Sequence, residues 1–198
     1  MPGIPGIRLH LASPSSGLGR LAGRSPYWAY PWAGGLALAR HLLTAADLVA
    51  GRRVLDLGAG SGLVAIAAAR AGAGAVLASD IDPYARAASA LNAAANGVTL
   101  AAILGDLTNG PAPEVDLILA GDAFYDRTVA ARVTAFLDRC IASGVQALVG
   151  DPGRAFLPRE RLRHIADYAV SDFGAGPAGL SSGAVFAFEP PAERQPCP

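Results

Sequence analysis

The stretch "RVLDLGAGSGLVAIAAARAGA", residues 53–73, decides the fold. Its first five residues form an apolar run typical of a buried strand, and Gly58, Gly60 and Gly62 predict a tight turn. The alanine-rich remainder predicts a helix that ends at glycine, and "AVLASD" (75–80) predicts a second strand. A strand, a helix and a strand in this order predict a right-handed βαβ crossover.

The same alternation continues along the chain. It predicts strands at 99–104, 115–121 and 145–150, and helices at 34–47, 82–97 and 127–143. The last two predicted strands, 168–173 and 182–190, leave no room for a helix between them and should pair antiparallel at one edge. We therefore expect an α/β fold of the Rossmann-like type, with a mostly parallel seven-stranded sheet, an antiparallel C-terminal hairpin strand and helices on both faces.

The length of 198 residues suits one domain. Within it we expect an N-terminal arm and helix (1–46), a Rossmann-like core (51–189) and a flexible tail (190–198). The first forty residues carry arginine but no acid, a composition that an organelle transit peptide would also show. Early aromatic and apolar residues favour a folded arm.

The composition excludes several classes of protein. Hydrophobic residues make up 52% and charged residues 16%, which argues against a disordered chain, and a net charge of zero argues against a nucleic-acid partner. All 16 basic residues are arginine, so the chain has no lysine. Cys140 and Cys197 lack the spacing of a zinc site or a disulfide framework, and the longest apolar stretch (63–79) is interrupted by Arg70. We expect a cytoplasmic monomer with no bound metal and no membrane partner.

Three acids follow three successive predicted strands. Asp56 stands just before the glycine turn, where a carboxylate would repel a pyrophosphate on the helix N-terminus and would suit a cationic ligand. S-adenosylmethionine (SAM) is such a ligand, because it carries a sulfonium and an α-amino group. Asp80 is placed to accept hydrogen bonds from ribose hydroxyls, and Asp106 to recognise adenine. For Asp106 an Asx turn is the alternative.

Two further features separate this turn from a dinucleotide site. The third glycine of the G-x-G-x-x-G pattern is replaced by Leu63. Asp82, which is followed by Pro83, is interpreted as a helix cap and not as a ligand. The turn therefore predicts a SAM site.

Five segments carry a resemblance to a known family. They are "PYWAYPWAGGLALARHLL" (26–43), "VLDLGAGSGLVAIAAARAGA" (54–73), "ASDIDPYARAASALNAAANG" (78–97), "GDAFYDR" (121–127) and "GDPGR" (150–154). Together they resemble the electron transfer flavoprotein β-subunit lysine methyltransferases, which are class I, seven-strand, SAM-dependent enzymes, and they suggest a bacterial member. The related ribosomal protein L11 methyltransferases share the glycine turn but carry an Asn-Pro-Pro-Tyr type signature that this chain lacks.

The resemblance implies the activity and most of the site. It implies a protein-lysine N-methyltransferase that converts SAM to S-adenosylhomocysteine and acts on the electron transfer flavoprotein β subunit. Asp56, Gly58, Gly60 and Asp80 map onto the SAM-binding motifs. The alternatives are methylation of another protein, such as ribosomal protein L11, or of a small amine, and more remotely a non-enzymatic nucleotide-binding module.

The signature "GDAFYD" implies the acceptor side of the reaction. Asp122 would receive and orient the lysine ammonium, while Phe124 and Tyr125 would line a channel for its aliphatic stem. The alternatives are core packing for Phe124 and an ordinary helix-start position for Tyr125.

Three other residues near the predicted site have open roles. Trp32 is assigned to the cofactor pocket, although packing at the sheet edge is the alternative. Asp151 and Arg154, which follow the fifth strand, would shape the substrate entrance or would simply hold a Pro-Gly turn together.

Overall fold

A computed structural model describes residues 4–12, 17–18, 26–171 and 180–191. In chain order the elements are α1 (Ala33–Thr44), β1 (Arg53–Leu57), α2 (Leu63–Arg70), β2 (Ala75–Asp80), α3 (Pro83–Ala95), β3 (Ala101–Leu104), β4 (Leu117–Gly121), α4 (Arg127–Ala142), β5 (Gln146–Asp151), β6 (Leu162–Ser171) and β7 (Leu180–Phe188). Short 3₁₀ turns occupy Tyr27–Ala29, Ala46–Leu48, Leu107–Asn109 and Arg159–Arg161. Most of the predicted loop between the last two strands and most of the predicted tail lie outside the described residues.

The strands form one seven-stranded sheet in the order β3-β2-β1-β4-β5-β7-β6. The first five are parallel, and β7 pairs antiparallel with both β5 and β6. The predicted fold class is therefore confirmed. The boundaries differ most at β6, which begins six residues before the predicted strand because "LRHIAD" pairs with β7.

Neighbouring residues of the central strands point to opposite faces of the sheet. Val54 and Leu119 belong to a core beneath α1 and α2, whereas Leu55 and Ile118 belong to a second core beneath α4. Strands buried on both faces read as continuous apolar runs, and this is why the sequence showed them so clearly. The parallel strands all end at the same edge of the sheet, where the site is built.

The N-terminal arm packs against the core where it is described. Ile4 and Ile7 are fully buried, and the amide of Arg8 donates to Oδ1 of Asn96 at 2.9 Å. The described residues of this segment therefore pack against the rest of the fold, and the bounds of the arm stay a prediction. In the part of the chain that is described, no helix is long and apolar enough to cross a membrane.

Candidate active site

The glycine turn between β1 and α2 leaves open space above it. Gly58, Gly60 and Gly62 have φ angles of 71°, 53° and 80°, which side-chain-bearing residues rarely adopt. The amides of Gly58 and Ala59 both donate to the carbonyl oxygen of Ser79, which ties the turn to β2. A Cβ on Gly58 would meet no atom within 4 Å, so a ligand can approach the backbone there.

Asp56 lies beneath this turn and not in it. Its side chain is buried, and Oδ2 accepts a hydrogen bond of 2.9 Å from the amide of Ala65 in the first turn of α2. Burial raises the pKa of Asp56 to about 7, against the opposing effect of that hydrogen bond. A contact between this carboxyl and a cationic ligand stays a prediction. The Asp56 side chain lies against the N-terminus of α2, where a pyrophosphate would bind.

Asp80 forms the second wall of the site. Its Oδ2 accepts from the amide of Gly60 and its Oδ1 from the amide of Asp82, each at 2.9 Å. Each oxygen keeps a lone pair for a ligand hydroxyl. The next residue, Ile81, is 66% exposed and offers an apolar surface at the same end of the strands. As predicted, Asp82 caps α3, through a 2.8 Å bond from the amide of Tyr84.

Asp106 follows β3 as predicted, and it forms the Asx turn that was its alternative role. Its Oδ1 accepts from the amide of Thr108 at 2.9 Å, and Oδ2 is paired with Arg132. These hydrogen bonds, with that of the Thr108 hydroxyl foremost, lower the pKa of Asp106 despite some opposing desolvation. A contact with adenine stays a prediction for this residue.

The residues present fit SAM. The open backbone at Gly58, the lone pairs of Asp80 and the exposed side chain of Ile81 suit a methionine chain, a ribose and an adenine in that order. The carboxylate of Asp80, beside the turn, supplies negative charge that suits a cationic ligand. A dinucleotide fits less well, because Asp56 occupies the α2 N-terminus.

The signature "GDAFYD" stands at the end of β4, and its side chains lie partly in the core and partly at the candidate site. Phe124 is fully buried in the core beneath α4, so the prediction that it lines a channel is wrong. Tyr125 is 60% exposed and remains available to an acceptor. Asp126 caps α4 through bonds of 2.8 and 3.1 Å from the amides of Thr128 and Val129. Only Asp122 and Tyr125 are left for chemistry.

Asp122 has an unfavourable backbone conformation that the contacts around it must stabilise. Its φ of 57° is the only positive value among the described residues other than glycine. Oδ2 accepts from the amide of Gly35 at 2.6 Å, and Oδ1 is paired with Nη1 of Arg154 at 2.6 Å. Burial raises the pKa of Asp122, whereas Arg154 and the Gly35 amide act to lower it. Its carboxylate therefore already has a cationic partner, which the sequence did not indicate.

Gly34 and Gly35, in the first turn of α1, allow the helix to approach Asp122 this closely. The sequence analysis did not single them out. A Cβ on Gly34 would lie 2.2 Å from the carbonyl oxygen of Gly150 and 2.9 Å from Cγ of Asp122. Helix α1 thus rests directly on the ends of β4 and β5. Two consecutive glycines in the first turn of a helix are unfavourable by propensity, and that was the available signal.

The two tryptophans lie in different surroundings, and the assignment of Trp32 to the cofactor pocket stays a prediction. Trp28 lies against the glycine turn, since a Cβ on Gly60 would be 3.6 Å from its Cα, and its ring stacks on Tyr84 at 6.3 Å. Trp32 precedes α1, and its Nε1 donates to the carbonyl oxygen of Tyr27 at 2.9 Å. Its ring lies 5.9 Å from that of Tyr27. The residue beside the predicted cofactor turn is therefore Trp28.

Two further aromatic residues, Tyr27 and Tyr125, lie near Trp32 and Asp80. Partial burial and then the negative charge of Asp80 raise the pKa of the Tyr125 phenol, and Tyr27 contributes in the same direction. Tyr27 is 66% exposed. Tyr27 and Trp32 therefore lie side by side, and Tyr125 lies close enough to Tyr27 and Asp80 for their charges to act on it. Among the described residues there is no group of three or more His, Cys, Asp or Glu side chains that could hold a metal ion.

A parallel sheet whose first strand-to-helix turn is rich in glycine, with acids at the ends of β1, β2 and β4, defines a class I methyltransferase. Solved structures agree at the level of the fold. They include TrmN from Thermus thermophilus (TM-score 0.57, 26% identity, 79% of this chain and 48% of that one). They also include a ribosomal protein L11 methylase from Lactobacillus delbrueckii subsp. bulgaricus (TM-score 0.54, 23% identity, 77% of each chain). Residues 38–121 match the family described as ribosomal protein L11 methyltransferase (PrmA).

Sequence relatives define the family within this class. The chain is 41% identical to the electron transfer flavoprotein beta subunit lysine methyltransferase of Rattus norvegicus, over 83% of this chain and 68% of that protein. It is 42% identical to the Xenopus laevis protein of the same name, over 96% of this chain and 82% of that one. The chain belongs to the electron transfer flavoprotein beta subunit lysine methyltransferase family. These relatives are from animals, so they do not support the expected bacterial origin.

Proposed function

We propose that this protein transfers a methyl group from SAM to lysine side chains of the electron transfer flavoprotein β subunit. The observation that carries the proposal is the long alignment with proteins of that name, 42% identical over 96% of this chain. We also propose that it acts as a cytoplasmic monomer and does not require a nucleic acid.

The cofactor would be held by the first two strands. Gly58 and Gly60 allow the backbone to approach the ligand, and Asp80 would bind the ribose hydroxyls. When bound, SAM supplies a methyl group that leaves the sulfonium as an amine lone pair attacks, and the bond pair stays on sulfur as S-adenosylhomocysteine.

The chain's own residues must then orient the amine and remove its proton. Asp122 lies at the end of β4, next to β1, with 10% of its side chain exposed. Because burial raises the pKa of this carboxyl, it can take the proton of the lysine ammonium more readily than a solvated aspartate would. The exposed ring of Tyr125 would pack on the lysine stem and attract its charge, with about 0.5–2 kcal/mol from the cation–π interaction.

The PrmA match supports a second acceptor, a ribosomal protein of the L11 type. It covers residues 38–121 and therefore ends at Gly121, the first residue of the "GDAFYD" signature. The residues assigned to the acceptor therefore lie outside the matched part, and we favour the flavoprotein subunit.

The test is methylation in vitro with labelled SAM. The purified chain is offered the flavoprotein β subunit, ribosomal protein L11 and n-butylamine in separate reactions, and the labelled residues are identified by mass spectrometry. Because this chain contains no lysine, every methyl-lysine found belongs to the acceptor. We expect label on the flavoprotein subunit, and its loss with Asp122→Asn while SAM still binds. Label on L11 or on the amine alone would contradict the proposed acceptor.

A further inference from the structure

Arg154 lies between two buried carboxylates. Its Nη1 is 2.6 Å from Oδ1 of Asp122 and 3.9 Å from Oδ2 of Asp151. The Arg154 side chain is 23% exposed, whereas that of Asp122 is 10% exposed and that of Asp151 is 0% exposed. The guanidinium is thus the outermost of the three groups and the one with room to move.

Asp151 has one satisfied and one unsatisfied oxygen. Its Oδ1 accepts bonds of 2.7 Å from the amides of Gly153 and Arg154, which fixes the turn after β5. Its Oδ2 is buried and has no hydrogen-bond partner among the described residues. A buried acceptor without a partner is costly, and shortening its separation from Nη1 by about 1 Å would supply one.

The charges of this cluster leave a place for a second cation. When both carboxyls are ionised, Asp122 and Asp151 carry two negative charges against the single positive charge of Arg154. Desolvation is the largest influence on both carboxyls and raises their pKa values, whereas Arg154 acts to lower both. Arg159, in the same loop, donates to the carbonyl oxygen of Gly153 at 3.0 Å, and its charge also acts to lower the pKa of Asp151.

We propose that Arg154 is a positioning residue that exchanges between the two carboxylates, pairing with Asp122 in the resting enzyme and moving to Oδ2 of Asp151 when an acceptor ammonium arrives at Asp122. The exchange keeps Asp122 paired at every stage and lets only a cationic group take the place of Arg154. This inference rests on the proposed function, because it identifies the acceptor group as the incoming cation. It gives the "GDPGR" segment a role in substrate entry as well as in forming a turn.

The exchange predicts opposite effects for two substitutions. Arg154→Gln removes the competitor for Asp122, so KM for the acceptor protein should fall. Asp151→Asn keeps the Oδ1 acceptor of the turn but removes the alternative charged partner, so KM should rise, on the order of tenfold as for coupled sites. The double variant should behave as Arg154→Gln, because Asp151 acts only through Arg154.

The experiment measures KM and kcat for the acceptor at pH 8.5, the dissociation constant of SAM, and the melting temperature of each variant. Arg163→Gln, which removes an exposed arginine paired with Glu189, is the control and should behave as wild type. If both single variants raise KM, or change kcat alone, Arg154 is a fixed brace and the exchange is wrong. Weakened SAM binding in Arg154→Gln would also overturn it, since the guanidinium would then serve the cofactor.

A binding measurement separates this inference from the proposed function. n-Butylammonium is titrated by NMR into each variant loaded with S-adenosylhomocysteine, without any methyl transfer. We expect the tightest binding to Arg154→Gln and the weakest to Asp151→Asn. Equal binding by all variants overturns the exchange, whereas a wild type that methylates no protein overturns the proposed function alone.

Discussion

The neighbouring rings of Phe124 and Tyr125 should respond to substitution in opposite ways. Phe124 is fully buried in the core beneath α4, and Tyr125 is 60% exposed at the edge of the sheet. Removing a buried phenylalanine side chain costs about 3–5 kcal/mol. Replacing it with leucine, which nearly fills the space, costs about 1–1.5 kcal/mol.

These costs convert into measurable shifts in stability. For a domain of this size, 1 kcal/mol lowers the melting temperature by about 2–4 °C, so Phe124→Leu should lower it by roughly 2–6 °C and Phe124→Ala by roughly 6–20 °C. Tyr125→Ala should stay within about 0.5 kcal/mol of wild type in stability. It should instead lower kcat/KM by roughly twofold to thirtyfold, the equivalent of a lost cation–π contact.

Urea unfolding and a methylation assay on the same four proteins test which ring packs in the core and which contacts the acceptor. The free energy of unfolding and kcat/KM are measured for wild type, Phe124→Leu, Phe124→Ala and Tyr125→Ala, each well below its melting temperature. The reasoning is refuted if Phe124→Leu keeps full stability and loses methyl transfer, because the ring would then line the acceptor channel. A Tyr125→Ala variant that is destabilised but keeps its kcat/KM would refute the contact between Tyr125 and the acceptor.

Three further outcomes follow from the geometry of the site. Asp80→Ala should weaken SAM binding by about 1–3 kcal/mol for hydrogen bonds left unmade, which calorimetry would show; unchanged affinity would remove Asp80 from the site. Gly34→Ala should unfold at a distinctly lower temperature, because its Cβ would lie 2.2 Å from a backbone oxygen, whereas in Gly35→Ala the nearest atom is at 3.6 Å and melting should be near normal. Asp56 has a folded-state pKa raised to about 7, so the folded state binds more protons than the unfolded state between about pH 4 and pH 7. The contribution of Asp56 to the free energy of unfolding is therefore complete below about pH 4 and is lost as the pH rises to 7, by up to about 1.4 kcal/mol per pH unit. Asp56→Asn should remove this pH dependence from the free energy of unfolding measured in urea.

The sequence by itself determined the order of the elements and the position of the glycine turn between β1 and α2. Apolar runs and alanine-rich stretches predicted every strand of the sheet and its four helices, and Asp82 before Pro83 predicted the start of α3. These features depend on backbone geometry and on residues close in the chain, so they can be read locally. The family could also be recognised, because "GDAFYD" and "GDPGR" are short, continuous motifs.

Only the tertiary structure decided which side chains of those motifs face the core and which face the site. Phe124 and Tyr125 look alike in the sequence, and it is packing against α4 that buries the first and leaves the second exposed. The pairing of Asp122 with Arg154 joins residues that are 32 positions apart. It forms because β4 and β5 are parallel neighbours and therefore end at the same edge of the sheet. Such contacts depend on how distant segments pack, and no local pattern in the chain encodes them.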